Sequence, residues 1–528
     1  MIQAQTQMAG YWGKQFSLTD SDIEQLYNHF LEVEKPQTIE QLSMTLISNR
    51  VDEEIRAIKR AAKGHLVYQP QNEYQIGDKL LFPAMGFMQG AVSAVREGFN
   101  PDEGSFNVIT VDVKNKTREF ASSYKATHTL NIDNGVDVLD LFDLDADALF
   151  KQYGPSVAVK LAQQLGEHSD FIELGSVWFV KSLLVDIDTG HLHLSEAILE
   201  MSEGGPLLAD EFLPHLDLDP AIGVDVQRFS LDHALINDDR FDNVAAKGQF
   251  SWFLHRMEPE EVLKPPARLK YNPVPFNREL LGPLLLQLEH ELGDEWSDLK
   301  PRTASEPAQI VLTFPHRWAG TLPYSSSLNS LFGIGSTARQ RVLFVDDENG
   351  EEIIGWVVPQ ERYIFGFKEW FEKNQIPVGG FLHLTSGSEP GVIKIGFDRR
   401  RPQREWVRLA SVSDNRLKFE LKRRTIGCGY DDLLIVGTEV VTAVDALWRR
   451  MEAGERSLPS LLAEVFPSLA AMSTQDTVHA KTLYSAVNML RRVPPGPIFA
   501  ELVRNPAFQT VGDHYWLFDN SRWQERSK

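Results

Sequence analysis

The chain has 528 residues, 42% of them hydrophobic and 10% aromatic, which excludes a disordered chain and gives a length for three or four domains. Its one cysteine, Cys428, excludes an intrachain disulfide and any zinc site built on clustered cysteines, as expected in a reducing cytoplasm. The net charge of −21 is uneven: residues 301–528 hold 28 Lys+Arg and 26 Asp+Glu, which leaves 25 and 48 for residues 1–300. The opening MIQAQTQMAGYWGKQF lacks the basic region and apolar core of a signal peptide. No apolar run reaches the roughly 18 residues of a membrane-spanning helix, so the expectation is a cytoplasmic protein without membrane contact.

In chain order, residues 18–47 open with Thr19-Asp20, run a helix, break at Lys35-Pro36 and restart at Thr38 with Glu40 following. A third helix is expected at 52–64 and a hairpin at 65–74. Residues 74–123 are dense in Gly, Val and Phe and alternate as short strands broken at Gly90, Gly98, Asn100-Pro101 and Gly104, the pattern of a small SH3-like barrel.

One phrase then occurs three times. DFIELGSVWFV (170–180), RFDNVAAKGQFSWFL (240–254) and AFQTVGDHYWLF (507–518) each place Phe, a Gly-containing polar centre and Trp in an apolar run. Constant apolar ends around a centre of variable length are the mark of two short antiparallel strands and a tolerant turn. A helical segment precedes each copy: 156–169 with Val157, Leu161 and Leu165 on one face, 229–239 with Leu231 and Leu235, and 496–506 with Ile498 and Leu502. Before the middle copy, residues 193–216 read as helix, Gly-Gly-Pro break and second helix, which completes a winged helix-turn-helix pattern. The spacing of the copies is too long and irregular for a solenoid. Linkers are expected at 131–140, 257–277 and 298–308.

Residues 397–425 carry ten basic and four acidic residues. Arg399, Arg400, Arg401, Arg404 and Arg408, then Lys418, Lys422, Arg423 and Arg424, flank Trp406 and Phe419 and are the candidate DNA-contacting residues. Clustered Arg and Lys draw affinity from counterion release at phosphates. The alternation of RLKFELKR also fits a solvated sheet face. Arg491-Arg492 end a further helix before a Pro-Pro break, where cations also stabilise a helix C-terminus.

No P-loop, HExxH or GxSxG motif is present, and GIGSTARQR (333–341) lacks the lysine of a P-loop. His191 and His193 would share one face of a strand, with Glu196 nearby, but no third ligand is evident. Asp398 with Glu420-Leu421-Lys422 has the outline of a metal-dependent nuclease, and an alternating charged strand face gives the same outline. No cofactor, metal or catalytic residue is assigned.

The phrase F-x-x-V-G-x-x-Y/W-x-L after a helix, with SEAILEMSEGGPL, resembles the HARE-HTH winged-helix domain found in the delta subunit of bacterial RNA polymerase and in chromatin- and restriction-linked proteins. Asp239-Arg240-Phe241 and Trp252 carry the resemblance best, then Asn505, Phe508, Gly512 and Trp516. A long acidic tail is missing; the acidity is spread over the front half. Residues 309–385 resemble the DNA-binding pseudobarrel of plant auxin-response factors and restriction-enzyme recognition domains, on a turn at Asp346–Gly350, a Trp356 strand, an Arg362-Tyr363 strand and a short helix over 366–374. Gly379-Gly380 stands where that family has Gly-Asp, and no contact residue carries over.

The expected fold is therefore α+β and multidomain: winged helix 1–73, small β-barrel 74–132, helix and hairpin 133–190, winged helix 191–260, linker and helix 261–305, β-pseudobarrel 306–396, basic β region 397–445 and a helical, winged-helix domain 446–528. Two functions stay open beside a distant nuclease. One is a non-enzymatic DNA-binding or transcription-associated protein holding DNA through residues 301–528, with a protein partner such as RNA polymerase on the acidic residues 1–300. The other is a winged-helix scaffold that binds only proteins.

Overall fold

The computed structural model describes residues 4–13, 16–101, 104–113, 116–131, 144–299, 307–332, 339–387, 389, 391–453 and 456–523. The expected linkers at 131–140 and 298–308 lie largely outside them. The chain is mixed α+β and divides into two units, Met1–Asp188 with Asp217–His233, and Thr189–Leu216 with Ala234–Lys528. Among the described residues no helix is long and apolar enough to cross a membrane.

In the first unit, helix Asp20–Val33 starts at a Thr19 cap that accepts from the Asp22 amide. Asp22 in turn takes an ion pair from Arg50 at 2.7 Å, both side chains at most 10% exposed. A two-residue strand, Gln37–Thr38, leads into one helix over Ile39–Ala62. Two helices are expected there from the sequence. They merge because Ile47, Val51 and Ile58 keep one buried stripe across the proposed break and no Gly or Pro interrupts it. The hairpin expected at 65–74 is reduced to Leu66–Val67, which joins a five-stranded sheet covering 66–122 in place of a wing. Backbone bonds from Ser123 to Asn72 and from Tyr124 to Pro70 draw the end of its last strand back toward its start.

After that sheet come helix Ala146–Gly166 and the hairpin Phe171–Leu174 and Val177–Val180. Gln37 pairs with Trp178 and Thr38 with Val177. The elements expected separately at 1–73 and 133–190 thus share one three-stranded sheet, with the five-stranded sheet inserted between their second and third helices.

The same order recurs at the C-terminus, within the second unit. Helix Leu458–Ala470, strand Val478–His479, helices Ala480–Leu490 and Pro495–Arg504, and strands Phe508–Gly512 and Tyr515–Phe518 follow one another. Again the first strand pairs with the last, Val478 with Trp516. In the middle copy helix Thr189–Met201 is followed by Leu207, which bridges to Trp252 in the hairpin Phe241–Asn243 and Trp252–Leu254. Gly205 holds φ +114° beside this bridge, and a Cβ there would lie 2.5 Å from the Trp252 carbonyl oxygen, so a glycine is required.

The thrice-written phrase now has a geometric reason. Each Trp pairs with the first strand, and the residue two beyond it pairs with the phrase's Phe: Phe171 with Val180, Phe241 with Leu254, Phe508 with Phe518. Trp178, Trp252 and Trp516 are all buried. Each indole removes on the order of 200 Å² from water, roughly 4–6 kcal/mol of hydrophobic stabilisation before entropy is subtracted.

The second unit also contains a seven-stranded, barrel-like sheet. Its strands run in the order 308–311, 381–386, 392–397, 340–346, 352–358, 363–365 and 321–323. The turn at 346–350, the Trp356 and Tyr363 strands and the helix Lys368–Lys373 stand where the sequence placed them. The strand expected to close this region, 381–386, is followed by one more, Val392–Phe397, which pairs parallel with 343–346.

A buried charge cluster joins the C-terminal helices to the segment after helix Pro283–Leu292. Arg492 reaches Asp294 at 2.7 Å and Glu295 at 2.6 Å, and no side chain of the three is more than 2% exposed. Tyr484 donates to Asp294, Asn488 accepts from Arg492, and His316 lies 3.2 Å from Glu295. Burial pushes the Glu295 carboxyl up, but Arg492 and His316 outweigh it and hold the group below its ordinary range.

Candidate nucleic-acid interface

The basic region folds as a long hairpin of strands Arg399–Ser413 and Arg416–Cys428. Asp414 and Asn415 make its turn with φ 52° and 60°, the left-handed pair that a two-residue hairpin of native twist needs. The ladder skips between Arg399 and Gln403, where Pro402 has no N–H to give. Cross-strand partners share a face and successive residues alternate, so the register sorts the cations.

One face carries Val407, Leu409 and Ile426, covered by Tyr430 and Val436. Lys422 and Arg424 lie on it and are ion-paired with Glu439 at 2.7 and 2.5 Å, and Lys422 also with Glu420 at 2.7 Å. Glu405, opposite Arg424, accepts from the Tyr430 hydroxyl. Lys418 opposes Ser411 on the same face, near the turn, and is exposed.

The other face divides along its length. Toward the turn, Ala410, Leu417 and Phe419 are buried in the C-terminal core with Leu462 and Phe466. Toward the base it is open and presents Arg404, Trp406, Arg408, Leu421 and Arg423. Trp406 is 61% and Leu421 43% exposed. The Arg423 guanidinium carbon lies 5.1 Å from the Trp406 ring centre. Arg408 donates to the Asp432 carbonyl. Among the described residues Arg401, Arg404 and Lys418 have no acidic partner.

The nine cations therefore do not form one patch. Arg399 faces the seven-stranded sheet, held by Asp346 and Glu348, with Phe397 under its guanidinium at 3.9 Å. Arg400 pairs with Asp398 at 2.9 Å. Arg404, Arg408 and Arg423, with Trp406, remain as a group on one face that a phosphate backbone and an unstacked base could meet, and Arg401 is exposed at the base of the hairpin.

The nuclease outline is not assembled. Asp398 sits at the base of the hairpin, while Glu420 pairs with Leu409, roughly 30 Å along the strand at 3.3 Å per residue. Lys422 is engaged by Glu420 and Glu439. His191 and His193 fall on helix Thr189–Met201 and not on a strand, so a spacing of two points them apart. Glu196 nearby holds Arg240 at 2.7 Å and Arg256 at 3.3 Å. Cys428 is 2% exposed, and burial pushes its thiol up to about 11, which leaves it unreactive.

One further cluster has no signature as a unit in the sequence. Asp242, His255 and Glu258 bring one ligand-type atom each to within 4.8 Å of one another. They come from the hairpin of the middle copy and the turn after it, and Arg339, from just before strand Gln340–Asp346, reaches them across the fold. Only the His255–Glu258 spacing was visible in the sequence; Arg339 lies about eighty positions further on.

No protein-family model matches this chain, and no curated protein and no solved structure matches it.

Proposed function

We propose that this chain is a non-enzymatic, nucleic-acid-binding modular protein of the cytoplasm. In this reading it is built on three winged-helix repeats, an SH3-like barrel and a pseudobarrel-like sheet. The order of helix, strand, two helices and hairpin in the first and C-terminal copies, with Trp in the same register in all three, supports the winged-helix assignment. The observation that carries the function is the open hairpin face, where a Trp406 ring 61% exposed lies under Arg423 and shares its face with Arg404 and Arg408. An exposed aromatic among unneutralised arginines suits stacking on a base with phosphates alongside.

The winged helices themselves serve better as protein-docking modules. In the C-terminal copy the third helix is buried from Pro495 to Leu502, so it has no face to lay in a DNA groove. The acidic residues 1–300, with 48 Asp+Glu against 25 Lys+Arg, suit a protein partner, RNA polymerase being one example, more than a phosphate backbone.

Fluorescence anisotropy of labelled single-stranded and duplex DNA, titrated with the full chain across a salt series, tests the reading. Three or four phosphate contacts give a slope of log affinity on log salt of roughly −2 to −4. Absence of binding at low salt would leave only the protein-docking function.

A further inference from the structure

We propose that Asp242, His255 and Glu258 form a site for a divalent transition-metal ion, Zn²⁺ by its donor set, in which the Arg339 guanidinium is the counter-ion that the metal replaces.

Two carboxylates and an imidazole form a donor set that takes Zn²⁺ with solvent completing the shell. The three donor atoms lie within 4.8 Å of one another, so small side-chain adjustments bring them around one ion. The His255 Nδ1 stands 2.7 Å from Asp242 Oδ2, which places that ring nitrogen toward the cluster.

Glu258 is the second, independent observation. Its side chain is 0% exposed, and neither carboxylate oxygen accepts a hydrogen bond. A carboxylate so enclosed, beside a second one, calls for a cation or a proton. Arg339 is the cation now at hand. Its Nε lies 3.1 Å from Glu258 Oε2, and its Nη2 lies 2.9 Å from Asp242 Oδ2 and 3.3 Å from His255 Nδ1. One side chain thus answers all three donors, as a metal ion would.

The surroundings fix the donors and leave a way in. The Arg341 amide donates to the Val244 carbonyl at 2.9 Å, and Phe253 meets Trp356 edge-on at 5.1 Å, so the hairpin that carries Asp242 is anchored. The Arg339 side chain is 26% and His255 45% exposed, so the arginine has room to leave outward and the imidazole borders solvent.

The test uses the full chain, stripped with a chelator and titrated with ZnCl₂ by calorimetry, with Co²⁺ absorption as a second readout. One Zn²⁺ per chain is expected. Arg339→Ala should bind roughly tenfold or more tightly, because the resident positive charge is gone. His255→Ala, a change at a half-exposed position that leaves the fold intact, should bind roughly tenfold or more weakly, with loss of the Co²⁺ band. No saturable binding, binding unchanged in His255→Ala, or Arg339→Ala binding no tighter than the parent each overturns the proposal. A purely structural ion cluster predicts that Arg339→Ala only destabilises the fold.

Discussion

Arg399 places its Nη2 3.1 Å from both carboxylate oxygens of Asp346, whose side chain is closed to solvent. The first arginine of the basic stretch is therefore a bolt between the hairpin and the seven-stranded sheet. Trp370, which donates to the same carboxylate at 2.7 Å, and two backbone amides share the load. Arg399→Ala should thus cost about 1–3 kcal/mol of stability and change nucleic-acid affinity by less than about twofold. Thermal unfolding and anisotropy on the same sample separate the two effects.

Arg404→Ala should behave in the opposite way. The side chain is exposed and makes no ion pair among the described residues, so its loss should leave unfolding within about 0.5 kcal/mol. The salt slope of DNA binding should become shallower by roughly 0.7–0.9. An unchanged slope would remove Arg404 from the interface.

Trp406→Ala should discriminate between strands. A stacking ring contributes about 1–3 kcal/mol per unpaired base, so affinity for single-stranded DNA should fall roughly five- to hundredfold and affinity for duplex much less. Parallel titrations of both DNA forms read the difference. An equal loss on both would make Trp406 a support for Arg423 instead of a platform for bases.

Arg492→Met should be among the most damaging single changes. It leaves Asp294 and Glu295 buried without their cation, at a cost of about 3–5 kcal/mol. Urea unfolding measures it. Replacing all three groups by apolar residues of similar size should cost less than the single change.

The Glu258 carboxyl is pushed up to about 8, first by burial and then by Asp242, against the pull of Arg339. A carboxyl raised in the folded state takes up a proton on folding. Its contribution is therefore fully present below its ordinary value of 4.5 and lost as pH rises toward 8. In chelator-containing buffer the stability of the parent relative to Glu258→Gln should fall across that window by on the order of 2–4 kcal/mol. Urea unfolding at a series of pH values gives the curve, and a flat or rising difference contradicts it.

Local signals were legible in the sequence and assembly was not. The Asp346–Gly350 turn, the Trp356 strand and the short helix after Gly366 follow from nearby residues. So does the Phe and Trp phrase, whose spacing encodes a hairpin register. The pairing of Gln37 with Trp178 had no local signature, because the partner of a two-residue strand is chosen by tertiary packing. Period-two alternation showed that half of residues 416–424 face one way, but not that Glu439 would neutralise Lys422 and Arg424. Arg339 meets the 242–258 cluster only because the middle hairpin docks on strand Gln340–Asp346. Charge counting is blind to such a meeting.

The insertion within the first repeat has a consequence for birth on the ribosome. Its sheet cannot close until Trp178 has been made, roughly 140 residues after Gln37. At about 5–20 residues per second this interval lasts roughly 7–30 seconds. During it the helices Asp20–Val33 and Ile39–Ala62 hold Leu26, Phe30, Leu46 and Ile47 without the third helix and hairpin of their repeat. The five-stranded sheet is completed in the same interval from strands within 66–122. A compact tether of this kind shortens the span that the nascent half-repeat must search for its missing strand.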